Sequence, residues 1–376
     1  MNDKELEIDA GDEVSPRAIP ARATEGTAGF AVALLRRQFF AVDLFYLAFL
    51  TGLLVWIAAN WLVPSIRLYD TDGAYPWAAS THGPVFATIL GFFLLYSGLQ
   101  RFGLRYQREF VDIGHKPPRW LFATNLVYVL IPLFVVPSVF QQLGQFMTTV
   151  SGVPHVSTHP GYDPAVHYDR AATYWDQYLK ELDIWLFRVY VPEWIRQFHH
   201  PFLTGVLEWC YYSYYFSPFV AVGPLLARRD WKRARYAVGV LMATLMITYI
   251  GYILLPATGP RFEGTFASWL PDEAGWFWAE PMAIWLDELE IIRWDAFPSG
   301  HTSVSIVCLI LALRYHKVVG LVYLPLVVGL VISTMYMGYH YATDVVAGLV
   351  TVALVFGVVE PFIKWWERDP EPAPTR

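Results

Sequence analysis

The sequence predicts an all-α integral membrane protein with eight transmembrane helices and both termini in the cytoplasm. Hydrophobic residues make up 55% of the 376 residues and charged residues only 16%, whereas soluble domains carry about 25% charged residues. A water-soluble fold of this composition would have to expose large apolar surfaces. The apolar residues also gather into segments of roughly the 20 residues that a helix needs to cross a bilayer.

Eight segments of the chain meet this length requirement. They are 39–63, 82–100, 120–141, 201–226, 237–256, 299–313, 318–338 and 341–363. The sixth is short, but it is included because a polar motif precedes it and Arg314 and Lys317 follow it. Together the segments predict a membrane domain over residues 39–363.

The distribution of basic residues predicts the orientation of these spans. Lys and Arg concentrate on the cytoplasmic side of membrane proteins. Of the 27 Lys and Arg residues, 20 lie in the two termini and in the loops after spans two, four and six. The alternation holds at every crossing, so both termini are predicted to be cytoplasmic and the loops after spans one, three, five and seven to face outward.

The two ends of the chain differ in composition from the membrane domain. Residues 1–38 are rich in Asp and Glu, and residues 364–376 contain three prolines. Such compositions are typical of segments without a packed core. We therefore predict a disordered cytoplasmic tail over 1–38 and a second cytoplasmic tail over 364–376. No apolar h-region opens the chain, so no cleavable signal peptide is predicted.

Two outer loops, 142–200 and 257–298, are long, and each contains an amphipathic stretch. The first has apolar residues at helical spacing between several charged ones: Trp175, Tyr178, Leu179, Leu182, Trp185, Leu186 and Val189, with Asp176, Lys180, Glu181 and Asp183 between them. The second repeats the pattern with Met282, Trp285, Leu286, Leu289 and Ile292. Both predict helices that lie in the membrane interface. The alternative is a small soluble cap packed over the helix bundle.

Three polar motifs lie at predicted outer ends of spans, where an ionisable group is costly and therefore a functional hypothesis. They are Ala-Thr-Gly-Pro-Arg-Phe at 257–262, Phe-Pro-Ser-Gly-His-Thr-Ser at 297–303 and Gly-Tyr-His-Tyr-Ala-Thr-Asp at 338–344. The predicted topology puts all three on one membrane face. Spans six and seven form a hairpin that returns to its starting side, so His301 and His340 are expected to converge.

The two histidine motifs contain the groups that nucleophilic and acid catalysis require. His340 and Asp344 are spaced i, i+4, so they share a helix face if the eighth span begins near His340. A carboxylate beside an imidazole sets its tautomer and raises its basicity, and such a histidine can attack an electrophile covalently. His301 is then a candidate general acid for the leaving group.

Three further residues suit the binding of a phosphate group. Arg261 offers a planar fork of donors to phosphoryl oxygens. Ser299 and the backbone N–H groups after it form a helix N-terminus, where phosphate binds readily. Gly300 allows the backbone to approach an anion closely. Positioning and charge neutralisation are the main requirements of phosphoryl transfer.

The remaining polar residues give weaker indications of function. The outer loop 142–200 contains His155, His159, Asp163, His167 and Asp169, but their spacing matches no established set of metal ligands, and no metal site is predicted. Glu208 lies within the fourth span, where it either lines a headgroup pocket or forms a hydrogen bond to a neighbouring helix.

The three motifs resemble those of the type 2 phosphatidic acid phosphatase superfamily, which carries three outward motifs on a six-helix membrane core. The second motif of that family, Pro-Ser-Gly-His, is intact at 298–301. The third ends in His, three residues and Asp, as 340–344 do, and Ser333 stands at its start. Arg261 looks like the arginine of the first motif.

The resemblance implies roles for these residues and an extent for the core. His340 would be the nucleophile, Asp344 its partner and His301 the acid, without a metal or another cofactor. The six-helix core would comprise spans three to eight, about 120–363, with two additional spans before it.

Two cations of the phosphatase form of these motifs are missing. Leu254 stands where the first motif has Lys, and Thr334 where the third has Arg after its Ser. A nearly dianionic phosphomonoester should need them more than a singly charged phosphodiester does. The His-Tyr-x-x-Asp form of 340–344 is also similar to the inositol phosphorylceramide synthase and sphingomyelin synthase branch, whose members move a phospho-headgroup between lipids.

The sequence therefore favours a lipid phosphotransferase that acts through a phosphohistidine on the extracytoplasmic face of the cell (inner) membrane. Its partners would be a phospholipid or lipid phosphate and, as acceptor, a lipid alcohol or water. One alternative is a phosphatase that hydrolyses phosphatidic acid-type or isoprenyl phosphate monoesters, because only the acceptor differs. A second is a non-enzymatic lipid transporter. The net charge of −6 does not favour nucleic-acid binding.

Overall fold

The computed structural model describes residues 119–140, 174–262 and 294–367, together with part of a helix between residues 41 and 55. Several predictions concern residues outside these ranges. They are the tail 1–38, the second span, residues 142–173 of the outer loop 142–200, the amphipathic stretch at 282–292 and the tail beyond residue 367.

The regular elements of the described residues are all helical, which confirms the predicted all-α class for this part of the chain. In order they are α1 Arg119–Phe140, α2 Tyr174–Phe187, α3 Val191–Arg196, α4 Pro201–Tyr212, α5 Ser217–Ala227, α6 Trp231–Leu254, α7 Gly300–Tyr315, α8 Lys317–Tyr336, α9 Ala342–Leu354 and α10 Glu360–Glu367. Short 3₁₀ turns cover Ser213–Phe216 and Pro260–Phe262, and a π turn, Val355–Val359, joins α9 to α10.

Three described helices have the length and composition to cross a membrane: α6, α8 and the continuous helix Ala342–Glu367 that α9 and α10 form together. Two shorter apolar helical segments, Arg119–Phe134 of α1 and Gly300–Tyr315 (α7), accompany them. On α8 the apolar side chains of Val318, Leu321 and Val322 are exposed, as expected of a helix that faces lipid. Eight spans and their orientation remain predictions.

The predicted fourth span, 201–226, is not one straight helix. It consists of α4 and α5, which the turn Ser213–Phe216 joins. Pro218 lies in the first turn of α5, where its missing N–H is tolerated but would interrupt a continuous helix.

The central helix of the bundle is α7, which packs against α5, α6, α8 and α9. Val307, Cys308 and Leu311 on α7 are fully buried. Glycine permits the close approach of α9, because a Cβ at Gly348 would lie 2.9 Å from the carbonyl oxygen of Ser299. The start of α7 therefore lies against the second turn of α9.

The amphipathic stretch in the first outer loop is helical, as predicted, but its buried face is acidic. This helix, α2, packs against α9 and α3. Asp176 and Asp183 are buried, while Trp185 is 65% exposed. The packing of α2 against α9 fits the predicted cap, whereas its exposed apolar side chains, Leu182 and Trp185 among them, fit the predicted helix in the membrane interface.

At the C-terminal end of α7, a cluster of ion pairs and hydrogen bonds around Glu360 joins α6, α7 and α10. Arg314 Nη1 lies 2.6 Å from Glu360 Oε1, which also accepts a hydrogen bond from the Tyr236 hydroxyl. Lys364 Nζ lies 3.0 Å from the same oxygen. Because the Glu360 side chain is 7% exposed, its charge is stabilised mainly by these partners.

Replacing Glu360 by Ala should destabilise the bundle, because the partly buried guanidinium of Arg314, 22% exposed, would lose its charged partner. We expect a loss of about 3 kcal/mol in the free energy of unfolding, measured as a lower Tm of the detergent-solubilised protein. Lys364→Ala is the control, since this lysine is half exposed and such pairs contribute about 0–1 kcal/mol. Equal Tm values for the two variants would contradict the assignment.

Candidate active site

His340 lies in the turn between α8 and α9 and is 3% exposed. Gly338 has a positive φ of 74° in this turn. His340 Nδ1 lies 2.8 Å from the carbonyl oxygen of Ala296. Because a carbonyl only accepts, Nδ1 carries the proton and Nε2 keeps its lone pair. Burial disfavours the imidazolium and lowers the pKa of His340 to about 4, although the hydrogen bond to Ala296 opposes this.

The second imidazole, His301, belongs to the first turn of α7. Its Nδ1 lies 3.4 Å from His340 Nε2, so the two histidines converge as the predicted hairpin requires. The His301 ring stacks on Tyr211, with ring centroids 4.6 Å apart, and lies 4.2 Å from the Tyr214 ring. Aromatic rings from α4 and the turn after it therefore define the position of this imidazole.

Asp344 is fully buried in the first turn of α9, and its carboxylate lies beside the His340 ring, although His340 itself precedes the helix. The helix begins at Ala342, so His340 lies just before it. Asp344 Oδ2 accepts a hydrogen bond from the backbone N–H of Tyr341 at 2.8 Å and lies 3.5 Å from His340 Nδ1. The same carboxylate oxygen therefore caps the helix and lies beside the imidazole.

Arg261 lies directly against the turn that carries His340. Its backbone N–H donates to Gly338 O at 2.6 Å, and its Nη1 donates to the Tyr339 hydroxyl at 2.7 Å. The Tyr339 ring stacks on Tyr211 with centroids 4.6 Å apart. Arg261, Tyr339, Tyr211 and His301 thus form a continuous row of contacts along one side of the site.

Ser299 and Gly300 have structural duties at the start of α7. Ser299 Oγ accepts a hydrogen bond from Thr302 N at 3.2 Å and caps the helix. At Gly300 the expected reason for glycine was close approach to an anion. In addition, an added Cβ would overlap the Tyr252 hydroxyl, so the packing of α6 against α7 is a second reason for glycine there, and the approach to an anion stays a prediction.

Two buried carboxylates, Asp176 and Asp183, belong to the site although their sequence pattern pointed only to an amphipathic helix. Asp176 accepts hydrogen bonds from Thr258 and Gly259, and Asp183 accepts them from Ala342 and Thr343. Burial raises the pKa of Asp183, and its hydrogen bonds to the two backbone N–H groups oppose that rise. The sequence feature that could have predicted this is their spacing of seven residues, about two helical turns, which puts both carboxylates on one face of the helix.

Two further predictions concern the surroundings of Glu208 and the presence of a metal site. Glu208 is 6% exposed, and no hydrogen-bond partner for its Oε2 is found in the part of the chain that the structure describes. The described residues contain no group of three His, Cys, Asp or Glu side chains that could hold a metal ion. The histidine-rich part of the loop, His155 to Asp169, lies outside them.

Comparison with known families gives one match. The family model of the PAP2 superfamily matches residues 179–358, slightly under half of the chain. This segment contains α3 to α9 and all six residues assigned to the site from the sequence, and it begins within α2 after Asp176. No curated protein and no solved structure matched the chain.

Substitution of Gly259 by Ala should distort the Arg261 loop. Gly259 has a φ of +87°, and a Cβ there would overlap the backbone carbonyl of Tyr339. We expect a loss of at least about 1–2 kcal/mol in the free energy of unfolding, measured as a lower Tm in detergent. Gly357→Ala is the matched control, since a Cβ there meets open space; a similar Tm for both variants would contradict this geometry.

Proposed function

We propose that this protein is a PAP2 superfamily enzyme that transfers a phospho-headgroup between membrane lipids, with His340 as the nucleophile. The observation that carries the proposal is the pair of contacts that the two ring nitrogens of His340 make. Its Nδ1 proton is directed to Ala296 O, and its Nε2 faces a second imidazole at 3.4 Å. A neutral imidazole held with its lone pair towards a potential acid is suited to covalent catalysis.

The proposed reaction has two steps. In the first, His340 Nε2 attacks phosphorus, the bond to the departing lipid oxygen breaks, and protonated His301 gives that oxygen a proton. In the second, an acceptor hydroxyl gives its proton to His301 and attacks phosphorus, and the P–N bond breaks to restore neutral His340. Arg261 and the N-terminal N–H groups of α7 would neutralise the phosphoryl oxygens, and Asp344 would stabilise the charge that develops on the His340 ring.

The positions of the two missing cations support a phosphodiester as the substrate. Thr334 is fully buried, and its hydroxyl donates to Val331 O at 2.8 Å, so it supplies no charge. Leu254 is 64% exposed at the end of α6. With Arg261 as the cation assigned to the phosphate, the site neutralises the single charge of a phosphodiester better than the two charges of a monoester. This favours a transferase of the inositol phosphorylceramide synthase type over a lipid phosphate phosphatase.

The proposal includes the membrane location predicted from the sequence. The enzyme would be a multi-pass protein of the cell (inner) membrane, with the site open to the outside and a lipid alcohol as acceptor. A lipid transporter would use the same polar end of the bundle without forming a covalent intermediate. The distinction is therefore chemical and can be tested directly.

The function is tested with purified protein in mixed micelles that contain ³²P-labelled phosphatidylinositol or phosphatidic acid, with and without ceramide or diacylglycerol. We expect a new labelled phospholipid that appears only with an acceptor. Free phosphate from phosphatidic acid would indicate the phosphatase instead, and neither product would favour transport and overturn the proposal.

Replacing His340 by Ala should abolish turnover, a loss of about 10⁴-fold or more, and should abolish the labelled enzyme intermediate. His200→Asn is the matched control. His200 caps α4 by accepting from Phe202 N, and Asn preserves such a cap. Turnover that persists in His340→Ala would show that the nucleophile is misassigned.

The lowered pKa of His340 predicts the acid limb of the pH profile. The neutral imidazole is the nucleophile, and its pKa is about 4 rather than 6.5. The acid limb of kcat/KM for phosphatidylinositol, where protonation removes the neutral His340 nucleophile, should therefore lie near pH 4 rather than near pH 6.5. The phosphodiester keeps its single charge over this range, so an acid limb near pH 6.5 would contradict the assignment.

A further inference from the structure

We propose that Asp176 and Asp183 are positioning residues that hold the two chain segments on either side of His340 in their reactive arrangement. The inference rests on the proposed function and extends it to α2, a helix outside the three sequence motifs. Both carboxylates lie on one face of α2, and both are essentially inaccessible to solvent, with exposures of 1% and 0%.

Asp176 anchors the loop that carries Arg261. Its Oδ1 accepts from Thr258 N at 3.0 Å and from Gly259 N at 2.9 Å. Its Oδ2 accepts from Thr258 Oγ1 at 3.1 Å. Two consecutive backbone N–H groups are thereby bound to one carboxylate immediately before Pro260 and Arg261.

The same loop is connected to the imidazole through two further hydrogen bonds. Ala257 O accepts from Ala296 N at 3.0 Å, and Ala296 O lies 2.8 Å from His340 Nδ1. The carbonyl that defines the His340 tautomer is thus held by the segment next to the one that Asp176 binds. Displacement of this segment would change both the position of Arg261 and the orientation of the imidazole.

Asp183 anchors the chain on the other side of His340. Its two oxygens accept from Ala342 N at 3.0 Å and Thr343 N at 2.7 Å, the first N–H groups of α9. These donors would otherwise be unsatisfied at a buried helix N-terminus. The carboxylate of α2 therefore acts as a cap from another helix and fixes where α9 begins, two residues after His340.

The Tyr341 hydroxyl connects Asp176 to the segment that Asp183 binds, because it donates to Asp176 Oδ1 at 3.2 Å and the next residue, Ala342, donates its N–H to Asp183 Oδ2. Every partner of Asp176 and Asp183 named here is a donor. An ionised carboxylate accepts at both oxygens, whereas the isosteric amide presents an NH₂ group to at least one donor. Asp→Asn is therefore a small change in volume that breaks this geometry.

The two anchors should affect different kinetic constants. Asp176→Asn releases the Arg261 loop, so we expect KM for phosphatidylinositol to rise about tenfold, as for the loss of a charged hydrogen bond. Asp183→Asn shifts the start of α9 and His340, so we expect kcat to fall about 10²-fold, the effect of a displacement of roughly 1 Å, with KM within about twofold of wild type.

The experiment measures kcat and KM of both variants in full-length protein, together with the amount of ³²P-labelled enzyme after rapid alkaline quenching. Positioning predicts that Asp183→Asn reaches the wild-type amount of labelled enzyme more slowly. A merely structural role would reduce the labelled fraction in proportion to kcat and leave KM unchanged in both variants, which would overturn the proposal. Glu181→Gln is the matched control, since this exposed carboxylate of α2 contacts only Gln177 among the hydrogen bonds described.

A milder variant covers the case in which an amide variant does not fold. Thr258→Val removes the hydrogen bond of one hydroxyl to Asp176 and leaves both backbone N–H bonds, so KM should rise about threefold, less than in Asp176→Asn. An unchanged KM would overturn the role of Asp176. Inactive wild-type protein would instead refute the proposed function, whereas active wild type with unaltered variants would refute only the positioning roles.

Discussion

The hydrogen bond between His340 Nδ1 and the carbonyl oxygen of Ala296 is the interaction on which the site depends. It joins the turn before α9 to the segment before α7, and it determines which nitrogen carries the proton. A backbone carbonyl cannot change its protonation state, so the tautomer is set by the fold and does not require Asp344 to be the first partner. Asp344 is then available to cap α9.

The surroundings of this bond are rigid because aromatic rings and close backbone contacts leave little freedom. His301 is held against Tyr211 and Tyr214, and Arg261 against Tyr339. Stacked and tilted ring pairs resist rotation of their members. Acidic side chains from α2 complete the enclosure from the side opposite the bundle. The arrangement is preorganised, which is the main contribution that a protein makes to phosphoryl transfer.

Much of the fold could be predicted because the bilayer constrains it. The predicted boundaries of the third and the last three spans lie within about four residues of α1, α7, α8 and the helix Ala342–Glu367. The predicted fourth span, 201–226, corresponds to α4 and α5 with the 3₁₀ turn Ser213–Phe216 between them. The predicted outer ends of three spans also brought His301, His340 and Arg261 to one region, because adjacent helices must alternate in direction.

The sequence by itself determined which segments are apolar enough to cross the bilayer, and it supplied the three motifs whose residues meet at one end of the bundle. Only the tertiary structure decided that Ala296 O is the partner of His340, that Tyr252 requires glycine at position 300, and that α2 buries its acids. Helix periodicity reports which face is apolar, and normally an acidic face is exposed. It cannot report that a distant backbone offers four N–H groups, and those donors make burial of Asp176 and Asp183 favourable.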